Sequence, residues 1–171
     1  MTQPIPNGHD RSRTFTWSDP LATASAVRGL TGLEAIRAVA SGALPPPPIA
    51  ELLGMEITHV EPGHVVFSLE PAEWMYNPIG SVHGGIAATV LDSSLGCAIH
   101  TTLDAGVGYA TSDLQVRYVR AMSADTGTVL AESRVVYGGR RLATAEGKLY
   151  AQADGKLFAH ASTSCLILGP A

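Results

Sequence analysis

Asp92 is the residue whose surroundings most need a chemical explanation. Between Gly84 and Leu103 the chain reads GGIAATVLDSSLGCAIHTTL, and Cys97 and His100 are the only other ionisable residues there. A surface helix carries one polar stripe; this run is apolar or small nearly all round, as a buried helix is. Ala88, Leu95, Gly96 and Ile99 neighbour Asp92 at helical spacing. A carboxylate in such company is costly to bury unless it is paired or working. The ordinary alternative is an acid capped by Ser93, Thr89 or an adjoining strand. Just ahead stands His83-Gly84-Gly85. Glycines at a helix start leave backbone N–H groups open to a ligand, with the positive end of the helix dipole behind them.

Acid and amides are too far apart to act together within one chain. Gly84 and Asp92 are eight residues apart, about 12 Å at about 1.5 Å per residue, and at about 100° per residue they point to different sides. They meet only if two copies pack with these helices antiparallel. A catalytic Asp92 therefore implies a site shared between subunits.

Elements that position this helix can be read on either side of it. Asn77-Pro78 and Gly80-Ser81 mark the loop before it. Residues 1 to about 18 are polar and contain proline, and Ser18 or Asp19 before Pro20 suits a helix start. One or two short helices fit residues 20–42, with Leu30, Leu33, Ile36 and Val39 as the apolar set. Four prolines at 45–48 stop any helix and stiffen the connection. Ile49 to Leu53 suits a brief helix closed by Gly54. From Met55 the period becomes two, and Met55–Glu61, Pro62-Gly63 and His64–Glu70 read as a hairpin. After the buried helix come strands over Tyr109–Arg120, Thr128–Tyr137, Arg141–Ala153 and Lys156–Leu168. Ala143, Ala145, Gly147, Leu149, Ala151 and Ala153 share one face of small residues on which a sheet can approach a helix closely. The fold class is α+β: an antiparallel sheet wrapped around a long central helix, with an N-terminal helical extension over 1–50 and the main domain over 51–171.

Composition narrows the function. An apolar share of 46% against 15% charged describes a globular, weakly charged, oligomer-forming chain, and a net charge of −4 gives nucleic acid no evident foothold. The charge is uneven: seven basic and four acidic residues from Arg117 onward, four basic and eleven acidic before it. A basic C-terminal half suits a small phosphorylated ligand, though solvated strand faces explain it equally. Cys97 and Cys165 have no paired spacing and read as buried hydrophobes in a reducing compartment. The six histidines lack ligand spacing, so no metal site is expected. Neither a signal peptide nor a membrane-length apolar run is evident, which points to the cytoplasm.

Asn77, six residues before His83-Gly84-Gly85, Asp92 nine after His83, and a later β-meander carrying Gly138-Gly139-Arg140-Arg141 resemble the hotdog-fold acyl-CoA thioesterases of the phenylacetic-acid-degradation (PaaI-like) branch. The resemblance runs from about Leu52 to Leu168. It implies a homodimer, often paired into a homotetramer, with active sites at the protomer interface and no cofactor beyond the coenzyme A of the substrate. By the same resemblance Gly84 supplies a backbone amide to the thioester carbonyl, Gly85 contacts the substrate, Asn77 holds that carbonyl or the attacking water, and Asp92 of the other chain is general base or nucleophile. His83 steadies the loop or meets the departing sulfur, and Thr111 orients the water or the carboxylate. Gly138, Gly139, Arg140 and Arg141 lie where coenzyme A phosphates pass. Each has a plainer role: Asn77 a turn residue, His83 a helix-start hydrogen bonder, the arginines solvated, and Thr111 grouped by strand parity with Asp113, Gln115 and Arg117. Gly96 departs from members with a second helical hydroxyl there. The expected pocket lining is Leu53, Trp74, Met75, Tyr76 and the helix. Two other readings are an acyl-CoA-binding hotdog protein that does not hydrolyse, and a hydroxyacyl-thioester dehydratase, which would want a His and Glu pair not evident here.

Overall fold

The computed structural model describes residues 11–169. Asp19 accepts the Leu21 N–H at the start of α1 (Pro20–Ala26), with Pro20 in its first turn. Thr31 and Glu34 form a reciprocal capping box on α2 (Gly32–Ala40). Of the four prolines only the first three form the extended connection. Pro48 opens α3 (Pro48–Leu53), because a proline in the first turn forfeits no hydrogen bond. Gly54, at φ 71°, ends that helix in the left-handed region.

A six-stranded antiparallel sheet follows: β1 (Glu56–Glu61), β2 (His64–Leu69), β3 (Gly108–Tyr118), β4 (Val129–Gly138), β5 (Leu142–Ala151) and β6 (Leu157–Leu168). Spatial order is β1-β2-β4-β5-β6-β3, so β1 and β3 are the two edges. The central helix α4 (Gly84–His100) is crossed by the sheet's concave face and buries Val90, Leu91, Leu95, Ala98 and Ile99 completely. Fully burying one such leucine contributes about 1.5–3 kcal/mol. Against it lie Val65, Phe67 and Leu69 of β2, Val129 and Ala131 of β4, and Ala143, Ala145 and Leu149 of β5. The small face of β5 thus does what its sequence suggests. Ala153 lies past the strand end and is exposed. At Gly147 a Cβ would sit 2.4 Å from Ser133 Oγ, which is held in a buried hydrogen bond to Ser94 Oγ of α4 (2.7 Å).

The N-terminal helices are fastened to this body. The Gly32 N–H donates to Leu103 O at 3.0 Å, and a Cβ on Gly32 would fall 1.7 Å from His100 O. Only glycine lets α2 lie so close to the end of α4. From there α2 packs across β1. No helix among the described residues is long and apolar enough to cross a membrane.

Candidate active site

Asp92 is half-buried on the side of α4 that faces β3, and Thr111 Oγ1 donates to its Oδ1 at 3.1 Å. Simple alternation would turn Thr111 to the face of Asp113, Gln115 and Arg117. It does not, because β3 carries a bulge: Thr111 pairs with Cys165 and Asp113 with the next residue, Ser164. The extra residue, Ser112, reverses parity, so Thr111 joins Leu114 and Val116 on the helix-facing side.

Asp92 and Thr111 open onto a cavity of about 680 Å³. Its walls are mostly apolar: Ile36 and Val39 of α2, Pro46 and Pro47, Ala50 of α3, Met55 and Ile57, Phe67, and Cys97 and Tyr109. The proline-rich lead-in therefore roofs the pocket. Of the expected lining only the helix is present; Leu53, Trp74, Met75 and Tyr76 are elsewhere. Arg13 stacks on Trp74 and the Tyr76 hydroxyl accepts the Ala124 N–H. Reading along the chain put the pocket beside the loop preceding α4, whereas α2 folds back over the far end of that helix.

Tyr109 is a residue that sequence reasoning missed. Its ring occupies the space a side chain at position 96 would need: a Cβ on Gly96 would lie 2.7 Å from its hydroxyl. A hydroxyl thus reaches this spot from β3 rather than from α4. The only available signal was a glycine in mid-helix, which marks close approach by something else. Burial, reinforced by the nearby Cys97, Cys165 and Asp92, pushes the Tyr109 phenol up, and it stays protonated. Burial and then the Asp92 charge push the Cys97 thiol up to about 12.

The other expected residues gather at the opposite end of α4. His83 is the N-cap: its Nδ1 accepts the Gly85 N–H at 2.9 Å, and its carbonyl accepts that of Ile86. The Gly84 N–H is the one first-turn amide without a hydrogen bond among the described residues. Asn77 spends its side chain on its own loop, with Oδ1 accepting from Ile79 and Ser81 N–H and Nδ2 donating to Ser81 Oγ. One amide hydrogen remains to Asn77. Gly84 lines a separate cleft of about 330 Å³ with Tyr118, whose hydroxyl donates to Gly84 O at 3.0 Å. Gly138, Gly139, Arg140 and Arg141 form the β4–β5 turn, with both arginines exposed. The register row Gly138, Ala143, Cys165, Thr111 puts that turn at the Asp92 end of the sheet, about 14 Å away at about 4.8 Å per strand.

Residues 79–158 match the family model of the Thioesterase superfamily. A protein of Halobacterium salinarum bearing an esterase name is 41% identical over 69 residues, 39% of this chain and 44% of that protein. The 1,4-dihydroxy-2-naphthoyl-CoA hydrolase of Listeria monocytogenes is 28% identical over 103 residues, 59% of this chain and 80% of that enzyme. Among solved structures, a phenylacetic acid degradation-related protein of Ralstonia eutropha is 28% identical, with 77% of this chain and 98% of that one covered and a TM-score of 0.69. The PaaI protein of E. coli shares the fold at a TM-score of 0.71 and 19% identity, over 84% of this chain and 97% of its own. The sheet wrapped about α4 is the hotdog fold, and the match over residues 79–158 together with these neighbours makes the chain similar to the PaaI-like thioesterases of that superfamily.

Proposed function

We propose that this protein hydrolyses an acyl-CoA thioester to the free acid and coenzyme A, in the cytoplasm, at a site built by two protomers. The observation that carries it is the Asp92–Thr111 pair on the wall of a large apolar cavity, with no other acid than the exposed Glu56 lining it. Within one chain Asp92 and the free Gly84 amide open onto different cavities. Strand β3 runs past both, with Thr111 at Asp92 and Tyr118 at Gly84. Antiparallel pairing of β3 with its copy about an axis between Leu114 and Gln115 sets Thr111 of one chain opposite Tyr118 of the other. That register brings each Asp92 toward the partner's helix start. Dimers of this kind pair further into tetramers in the branch the chain resembles. Both cysteines are free, as suits a reducing compartment.

In the reaction, Asp92 takes a proton from a water held by the Thr111 hydroxyl as that water adds to the thioester carbonyl carbon, or adds directly and passes through a mixed anhydride. The Gly84 N–H, with the helix dipole behind it, meets the developing oxyanion. The C–S bond then breaks and the thiolate takes up the proton. The apolar cavity suits an aryl or medium aliphatic acyl group, in keeping with the naphthoyl substrate in the name of the Listeria relative. Arg140 and Arg141, exposed at the Asp92 end, are the cations that would meet coenzyme A phosphates in this reading.

Thiol release from a panel of aryl- and alkanoyl-CoA esters tests this. Asp92→Asn is expected to lower turnover about 10²–10⁴-fold, the usual contribution of a general base, with dimer and melting temperature kept. Wild-type rates in that variant would reject the assignment. Acyl-CoA binding without thiol release by the native chain would make it a binding protein, and hydration or dehydration a hydratase.

A further inference from the structure

The β1–β2 hairpin assembles a second constellation on the face of the sheet turned away from α4. In sequence it is His59-Val60-Glu61-Pro62-Gly63-His64, a spacing that matches no metal motif. Folding changes that. The Pro62-Gly63 turn sets Glu61 opposite His64, and the residue pair His59↔Val66 follows a register shift from Ile57↔Phe67. Ile57 packs inward against the core; the bulge at Thr58 turns His59 to the outer face, beside Glu61 and His64. One nitrogen from each histidine and one Glu61 oxygen then lie within 4.8 Å of one another.

The geometry favours a cation at the centre. Glu132 stands behind His64, with the Tyr150 hydroxyl donating to its Oε2 at 3.1 Å and Arg134 Nη2 to its Oε1 at 3.2 Å. Glu132 Oε1 lies 3.2 Å from His64 Nε2 and accepts from it when that nitrogen carries the proton. His64 Nδ1 then faces Glu61 Oε2 at 3.9 Å. His59 Nε2 is 3.6 Å from the same oxygen. It is buried without a hydrogen-bond partner, although the rest of the side chain is 40% exposed. Two histidine nitrogens thus converge on one carboxylate oxygen at separations too long for hydrogen bonds, a gap of the size a cation fills.

We propose that His59 Nε2, Glu61 and His64 Nδ1 bind one divalent transition-metal cation of the Zn²⁺ class, with Glu132 orienting His64 from behind. Bond lengths of about 2.0–2.2 Å place neighbouring tetrahedral ligands about 3.3–3.5 Å apart. The 3.6 and 3.9 Å separations exceed that by tenths of an ångström, which the exposed Glu61 closes by a small rotation. The fourth position opens to solvent and takes water. A carboxylate behind a ligating histidine is the usual outer arrangement of such sites. Its function is a clasp, joining the edge strand β1 to β2 near the turn where the Gly63 N–H is already held by Thr101 Oγ1 at 2.8 Å. None of this rests on the thioesterase reading, and thiol release, measured in parallel, reports on that reading separately.

The test titrates Zn²⁺ alone into the chelator-treated full-length protein against a chromophoric metal indicator. One equivalent is expected to bind, raising the melting temperature. His59→Ala and Glu61→Gln should each weaken binding tenfold or more, and Glu132→Gln about 10–100-fold, the usual cost of removing such an outer carboxylate. His160→Ala, on the same outer face but outside the cluster, should change nothing. Thiol release by His59→Ala should match the native rate. No binding, binding unchanged by His59→Ala, or loss on His160→Ala would overturn the proposal.

Discussion

The two edges of the sheet solve the same problem in opposite ways. An unpaired edge is a template for another strand. β1 is six residues long, studded with Glu56, His59 and Glu61, and covered by α2. β3 is eleven residues long, exposed along most of its length, and bordered on one side only by β6. Each carries one bulge, and the bulges aim chemistry in opposite directions: β1's turns His59 outward, β3's turns Thr111 inward onto Asp92. The closed edge is finished within one chain, while the open edge leaves a long strand unpaired, where the proposed second copy would add and complete the proposed site.

The sharpest way to break this comparison is to divide the site between two damaged chains. Gly84→Pro removes the free amide where a helix tolerates proline, after a residue already extended at φ −60°, ψ 133°. Alone it should lower turnover about 10²–10³-fold, the cost of one oxyanion donor. Coexpressed with Asp92→Asn, mixed dimers hold one intact site, and a random mixture should recover about a quarter of native activity. No recovery would mean that both groups act within one chain. On the closed edge, Gly32→Ala forces a Cβ into the His100 carbonyl. It should cost about 1–3 kcal/mol by urea denaturation, as overpacking does, and raise concentration-dependent association as α2 leaves β1. Thr111→Val keeps the shape of the β3 bulge but removes the hydroxyl on Asp92. About a tenfold loss in kcat is expected, near 1.4 kcal/mol, with the dimer unchanged.

The smallest effect concerns pH. The Cys97 thiol titrates at about 12 in the folded chain against an ordinary 9.0. Its contribution to stability is full below pH 9.0, where neither state ionises, and is lost progressively up to about 12, as the unfolded chain gives up its proton first. Cys97→Ala should therefore flatten the alkaline arm of stability against pH between those limits, measured by urea midpoints. An unchanged slope would point to Tyr109 instead, whose raised phenol acts in the same direction.

Local signals carried much of this. The Asp19-Pro20 cap, Gly54, the Pro62-Gly63 turn and the alternation in β5 were legible because each is decided by neighbours a few residues away. The lining of the pocket, the parity of Thr111, the place of Tyr109 and the meeting of His59 with His64 were not. Two of these turn on a single bulged residue, Thr58 or Ser112, that nothing in its own identity announces.

By itself the sequence determined that a nearly charge-free helix would be buried with one acid in it, capped by His83-Gly84-Gly85 and wrapped by a small-faced antiparallel sheet. That much follows from periodicity and burial cost, which are properties of short stretches. Tertiary structure alone decided what surrounds Asp92, where α2 closes the cavity and which histidines share a surface. Those outcomes depend on register between strands far apart in the chain, where a shift of one residue sends a side chain to the opposite face.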